Sequence, residues 1–331
     1  MWNSPVTRTK RGTCARLTGL TGLTGPTDIT AMLRVTITCA LVAVGACRYQ
    51  PATAATASGL RDQIQTRIAR TPGALVGVAY IDLATGDTLF INADTLMHAA
   101  STMKVPVMMR LFRESDAGRL SLDQRILVVN RFASIVDGSP YVQDPGVDSD
   151  SAMYRLVGDS VTIRDLIQHM ITRSSNLATN TLIALANPDS VNAMMRSLGA
   201  KRMIVLRGVE DEKAFEKGLN NMATARDLAI LLRDIETGKA ASPASSDAMR
   251  DILLAQQFND KIPAGLPPGT RVAHKTGDIT AIAHDAAIVY PANRKPYILV
   301  VLTKGIADEK VANTLIADVS RIVYQHAMAT H

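Results

Sequence analysis

Ser101-Thr102-Met103-Lys104 places a hydroxyl three residues before an amine. On a helix, residues i and i+3 share a face, so the lysine can reach the serine. A neutral lysine can take the serine proton, and burial or a neighbouring cation lowers its pKa enough to supply that form. The chemistry would be nucleophilic attack by a serine oxygen. The same four residues also fit a helix N-cap serine followed by a surface lysine, and a short motif often arises by chance. His98-Ala99-Ala100 before the serine is small, and Pro106 would disturb the second turn of the helix.

Two further groups could complete a site. Lys275-Thr276-Gly277 occurs once and is expected to end a strand. A cation and a hydroxyl there can hold a substrate carboxylate, and the glycine lets the substrate lie against the backbone; a plain strand end and turn would read the same way. Ser174-Ser175-Asn176 supplies a hydroxyl and an amide at a helix junction. Ser190-Val191-Asn192 has the same form but adjoins Pro188-Asp189 and reads as helix capping. The chain has no G-x-S-x-G elbow, no G-x-x-x-x-G-K-[ST] loop and no G-x-G-x-x-G. Its six histidines form no H-x-H or H-E-x-x-H pair, so neither a metal centre nor a nucleotide cofactor is expected.

The elements that must position these residues follow from periodicity. A helix is predicted over 58–70, ending at Pro72-Gly73. Strands follow over 75–83 and 87–92 around Ala84-Thr85-Gly86. Helices are predicted over 102–114, 163–172, 176–186, 190–198, 224–235 and 246–257, with Thr162 and Asp165 as an N-cap pair for the second. Strands over 271–275, 282–290 and 296–303 precede a last helix over 309–326. The expected fold is α/β plus all-α. Two early and three late strands join in a five-stranded antiparallel sheet flanked by the N- and C-terminal helices. A helical lobe over about 102–257 stands opposite, with a cleft between the lobes that the polar loop Gly138–Ser151 could overhang.

Composition divides the chain. Of 331 residues, 47% are hydrophobic, which excludes a disordered polypeptide, and the net charge is +6. Residues 1–55 carry six cations (Arg8, Lys10, Arg11, Arg16, Arg34 and Arg48) against Asp28, leaving 30 basic and 29 acidic residues in 56–331. That near-neutral body, in a chain only 4% aromatic, argues against a nucleic-acid partner. The first 55 residues read as a leader and the rest as one domain. Arg34 and the apolar run Val35–Ala46 match an export signal, and the run is too short to span a bilayer. Val44-Gly45-Ala46-Cys47 resembles a bacterial lipobox, which would lipidate Cys47; cleavage near Ala52-Thr53-Ala54 is the rival. Leu-Thr-Gly repeats over 17–25 and lacks a core-forming pattern, so translation is expected to start at Met32. All three cysteines precede residue 48, so the body holds no disulfide.

In order, S-x-x-K, S-x-N and K-T-G are far more specific than any one of them. With AASTMK (99–104), MITRSSN (170–176) and HKTGD (274–278), residues 58–326 resemble the serine β-lactamase/penicillin-binding superfamily, closest to its class A branch. The resemblance implies Ser101 as the nucleophile that opens a β-lactam or attacks a D-Ala-D-Ala-like peptide. It implies Lys104 as partner base, Ser174 as proton relay to the leaving nitrogen, and Asn176 as orienter of substrate and Lys104. Lys275, Thr276 and Gly277 would receive the substrate carboxylate, and the backbone N–H groups of Ser101 and Asp278 the oxyanion. Asn180 would be structural, and His274 and His284 packing residues. The implied deacylation base is Glu210, following Arg207 on a loop, although Glu210–Glu212 also fits a solvated acidic turn. Two departures stand out: Ala214 lies where the family has an Asn that holds water, and Ser175 where it has the Asp of S-D-N. The implied protein is an exported, periplasmic monomer, tethered to the membrane if Cys47 is lipidated, acting on a β-lactam or a peptidoglycan-like peptide. The other open readings are a D,D-peptidase and a sensor that is acylated once.

Overall fold

Five strands form one antiparallel sheet: β1 (Leu75–Asp82), β2 (Thr88–Ile91), β3 (Arg271–Ile279), β4 (Ile282–Tyr290) and β5 (Tyr297–Lys304). Their order is β2-β1-β5-β4-β3, so the first and last strands of the sheet meet where β1 pairs with β5, from Leu75 opposite Lys304 to Asp82 opposite Tyr297. The computed structural model describes residues 52–329, with side chains from Gly59. Arg34, Val35–Ala46 and Cys47 of the expected leader lie outside the described residues.

Both faces of the sheet are covered, which is why its strands read as nearly continuous apolar runs. Along β1, Val76, Val78 and Tyr80 enter one core while Ala79 and Ile81 enter the other, as the two-residue period of a strand requires. The first core lies under α1 (Ala52–Ala69) and the C-terminal helix. Between β2 and β3 the chain forms α2 (Lys104–Asp116), α3 (Ile163–Thr172), α4 (Asn176–Ala186), α5 (Pro188–Ser197), α6 (Glu212–Glu216), α7 (Ala225–Glu236) and α8 (Pro243–Leu254). The C-terminal helix is α9 (Glu309–Ala329). Leu315, Val319 and Val323 repeat every four residues along it and point at the sheet. Each such buried side chain contributes about 1.5–3 kcal/mol of hydrophobic stabilisation.

The helical lobe is built around α2, where Val105, Val107, Met108, Met109, Leu111 and Phe112 are all buried. A helix apolar on nearly every side has to be the centre of its lobe. The fold expected from sequence is therefore present, with differences that matter to the site. Helix α7 packs on the second face of the sheet, because Leu228, Leu231, Leu232 and Ile235 give it an apolar face the sheet can bury. A 3-10 turn, Ala100–Met103, precedes α2 and contains Ser101. Strand β3 runs past Lys275 to Ile279, so Lys275-Thr276-Gly277 lies inside a strand and the turn falls at Thr280-Ala281. Ser190 does not cap α5: Asn187 does, accepting the Ser190 N–H at 3.0 Å, and buried Asn192 holds the Val205 backbone instead.

Gly265 sits where the loop before β3 touches α9. A Cβ there would stand 2.0 Å from the Ala317 carbonyl oxygen and 2.9 Å from Ser320 Cβ. Gly265→Ala is expected to cost about 1–3 kcal/mol through overpacking. Urea unfolding checks this as a lowered midpoint with an unchanged slope.

Candidate active site

Ser101 begins its reach from the 3-10 turn, where the Lys104 N–H donates to the carbonyls of Ser101 and Thr102. In that geometry positions i and i+3 eclipse, so serine and lysine lie on one face at the mouth of α2. Ser101 is partly exposed and Lys104 fully buried. The lysine Nζ lies 2.7 Å from the Ser174 carbonyl, 3.2 Å from Ser174 Oγ and 2.9 Å from Asn176 Oδ1. As an ammonium it has three protons for these three acceptors. Losing one frees a lone pair for a neighbouring hydroxyl proton.

Lys275 reaches the same hydroxyl from the opposite lobe. It sits on β3, the edge strand, and its Nζ donates to Ser174 Oγ at 2.9 Å and to the Thr276 carbonyl at 2.8 Å. Thr276 is buried beside it, opposite Asp285 on β4. Gly277 is where β3 meets the nucleophile's backbone, since a Cβ there would be 3.0 Å from the Ser101 nitrogen and 3.1 Å from that of Thr102. Asp278 next to it is turned to Lys261, whose Nζ lies 3.2 Å away.

Glu210 completes the group, 2.7 Å from the Asn176 Nδ2 that donates to it. The Asn176 amide therefore joins Lys104 on one side to Glu210 on the other. A network holds Glu210 there: Asn180 accepts the Val209 N–H at 2.7 Å and donates to the Val209 carbonyl at 2.9 Å. Gly208 permits that approach, because a Cβ would fall 2.3 Å from Asn180 Oδ1. Arg207, buried, ties the two ends of the loop by donating to the Leu219 carbonyl and to Asn220 Oδ1. Asp211 caps α6 and accepts from Ser134 Oγ and the Ile135 N–H. Glu210 is thus a fixed, partly buried group rather than a solvated turn residue.

Charge and strain concentrate here. Burial pushes Lys104 down to about 7, opposed by Asp148 and Glu210, whose carboxylates favour its proton. Burial and the neighbouring Lys104 hold Lys275 well below the usual lysine range. Burial raises Glu210 above the usual carboxylate value, with Asp148 adding to the rise and the Asn176 bond opposing it. Ala100, Ser174 and Glu210 all have left-handed backbone, at φ 44°, 55° and 63°. Each costs about 1–2 kcal/mol and is sustained only by its surroundings. Two amines with depressed pKa, a serine between them and a carboxylate with a raised one can accept and deliver protons near neutrality.

Residues 59–327 match the family model described as the beta-lactamase enzyme family. The chain belongs to that family. It is similar to β-lactamase AST-1 of Nocardia asteroides, at 29% identity over 295 residues covering 86% of this chain and 91% of that one. Among solved structures it is similar to a point mutant of PBP-A as an acyl-enzyme complex with penicillin G. That pair has a TM-score of 0.71 and 29% identity, covering 83% of this chain and 97% of that one. It also resembles an ancestral class A β-lactamase at TM-score 0.70 and 29% identity, covering 80% and 99% respectively. The fold is that of class A β-lactamases and penicillin-binding proteins.

Of the candidate site residues, Lys104, Ser174, Asn176, Glu210 and Lys275 are joined by hydrogen bonds, Gly277 meets the Ser101 backbone, and Thr276 and Asp278 flank it on β3. Those missed are charged residues that reach the site from afar. Lys261 is buried; burial pulls its amine down, but Asp278, Asp260 and Asp285 raise it above the usual value overall. Asp285, wholly buried, lies 3.0 Å from His274 Nδ1 and accepts the Ile262 N–H at 3.0 Å. Asp148 accepts the N–H groups of Asn176 and Leu177. None belongs to a local motif, so spacing offers no signal for them.

The low pKa of Lys104 has a consequence for stability. Its folded value lies below the usual 10.5, so between these values the unfolded chain binds more protons and stability rises with pH. Lys104→Met removes that term. The stability of the wild type relative to Lys104→Met is expected to increase as pH rises above about 7, by up to about 1.4 kcal/mol per unit. Denaturant unfolding at several pH values measures it.

Proposed function

We propose that this protein is a serine β-lactamase that opens the lactam ring through a Ser101 acyl-enzyme and hydrolyses that ester with water activated by Glu210. The observation carrying this reading is the unbroken set of hydrogen bonds from Lys275 through Ser174 and Lys104 to Asn176 and Glu210. It serves both halves of such a reaction. Neutral Lys104 takes the Ser101 proton as Oγ bonds to the carbonyl carbon. As the C–N bond breaks, a proton passes through Ser174 Oγ to the leaving nitrogen. The Ser101 and Asp278 N–H groups receive the oxyanion, each donor contributing about 3–4 kcal/mol. Lys275 and Thr276 hold the substrate carboxylate, and that anion favours the protonated form of Lys275, which in turn keeps Lys104 neutral. In deacylation Glu210 takes a proton from water, the oxygen attacks the ester, and the proton returns to Ser101 Oγ.

A second reading, a D,D-peptidase or a slowly released penicillin-binding domain, is favoured by one residue. Ala214, four positions beyond Glu210, is buried and has no side-chain amide to hold a water. Sustained turnover of a chromogenic cephalosporin supports the lactamase; a stoichiometric burst that stalls supports the second reading. The leader, with the run Val35–Ala46 and the small residues before Cys47, supports export to the periplasm, with lipid anchoring if Cys47 is modified. Such an enzyme would act as a monomer and would protect its host from β-lactam antibiotics.

Ser101→Ala is expected to lower turnover by at least about ten-thousand-fold. Glu210→Gln should slow deacylation by about a hundred- to ten-thousand-fold and accumulate an acyl-enzyme visible by mass spectrometry, with acylation largely kept. The acylation rate of the wild type should fall as pH drops through about 7, where Lys104 takes up a proton. Stopped-flow acylation against pH measures the limb.

A further inference from the structure

We propose that Asp148, on the loop that precedes α3, is the positioning residue of the acylation site, doing from a neighbouring loop of the same lobe what the S-D-N aspartate would do from within the motif. In this chain the middle residue of that motif is Ser175, whose hydroxyl accepts the Ala178 N–H at 3.2 Å and donates to Asp148 Oδ2 at 3.5 Å. The first two amides of the eleven-residue helix α4 would be left without acceptors. Asp148 Oδ2 takes both, at 2.8 Å from the Asn176 nitrogen and 3.0 Å from that of Leu177. A carboxylate there also complements the positive end of the helix dipole. Asp148 is buried, and its other oxygen accepts the Asp150 N–H at 3.0 Å, so the carboxylate is held at both ends.

These bonds act on the residue just before α4. Ser174 is held in left-handed backbone, which turns its carbonyl and its hydroxyl toward Lys104. With the next two amides anchored, Ser174 cannot relax without breaking the Asp148 bonds. The loop grips the site at two more points. The Asp144 backbone hydrogen-bonds the Glu210 carboxylate. Asp150 lies 2.5 Å from His169 Nδ1 and 3.5 Å from Arg173 Nη1 on the segment leading into Ser174. The ionisable groups that face Asp148 are Lys104 from α2, Glu210 from the loop before α6, and Tyr154 from the 3-10 turn Ser151–Leu156. Asp148 therefore sets the position of Ser174 and Asn176 and favours the proton on Lys104. It touches neither the nucleophile nor the substrate.

The inference rests on Ser101 being the acylated residue, and mass spectrometry of the wild-type adduct tests that separately; an adduct elsewhere overturns the proposed function and not the geometry of Asp148. Single-turnover acylation of the full chain by a chromogenic cephalosporin is then followed across pH for wild type and Asp148→Asn, with melting temperature recorded. Asp148→Asn is expected to acylate about ten- to a hundred-fold more slowly above the acid limb. Its acid limb should move to lower pH, because the lost charge no longer favours the Lys104 proton. A purely structural role would lower the melting temperature and leave the limb in place. A folded Asp148→Asn with acylation within about two-fold of wild type and an unmoved limb overturns the proposal. If that variant does not fold, Asp148→Glu decides: slow acylation with the limb in place supports it, and wild-type acylation overturns it.

Discussion

Two lysines buried against one serine hydroxyl are the constraint on which the rest of this protein depends. Lys104 and Lys275 come from opposite lobes and both donate to Ser174 Oγ. An ammonium taken out of water is costly, and two side by side are more so, so each is stable only with full hydrogen bonding and a ready route to neutrality. That cost is the source of the chemistry, because a lysine forced toward its neutral form at ordinary pH is a base. The sheet, the central helix and the loops can be understood as the scaffold that keeps this pair dry and facing.

The scaffold meets the constraint by placing each amine on rigid backbone. Lys104 opens α2, whose first nine residues are almost all buried, while Lys275 sits on a strand whose outer edge faces the other lobe. Neither could drift without opening a core. The three left-handed residues lie where the chain must turn sharply to bring a functional group in: Ala100 before the nucleophile, Ser174 between the lysines and Glu210 at the loop. Their strain is offset by bonds from neighbours distant in sequence, above all Asn180 to Val209 and Asp148 to the start of α4. A loop that looks peripheral is thus tied into both the acylation and the deacylation groups.

Much of this was legible in the residues. α3, α4 and β4 have the boundaries their periodicity implies, because caps such as Thr162 and the alternation of buried residues are local signals. Errors fell where tertiary contact overrode local chemistry. Lys275-Thr276-Gly277 resembles a strand end because Gly punctuates turns, yet pairing with β4 carries the strand four residues further. Ser190 reads as a cap, but Asn187 precedes it with the better placed side chain. Ala214 and Ser175 were visible as departures from the family, but the sequence could not say what stands in for the missing aspartate. A carboxylate 27 residues earlier than Ser175 has no spacing relation to it.

The sequence by itself determined the identity and order of the chemical groups, the sheet-forming and helix-forming segments, and the division between a basic first 55 residues and a near-neutral remainder. These are properties of local composition and short periods, which a chain expresses before it folds. Only the tertiary structure decided that Lys104 and Lys275 share a hydroxyl, that Asn176 joins Lys104 to Glu210, and that Asp148, Lys261 and Asp285 belong to the same charged assembly. Burial, proton affinity and hydrogen-bond partners depend on what surrounds a group in space. Those surroundings are assembled from residues far apart in the chain: Lys275 lies 101 positions beyond Ser174, which lies 70 beyond Lys104.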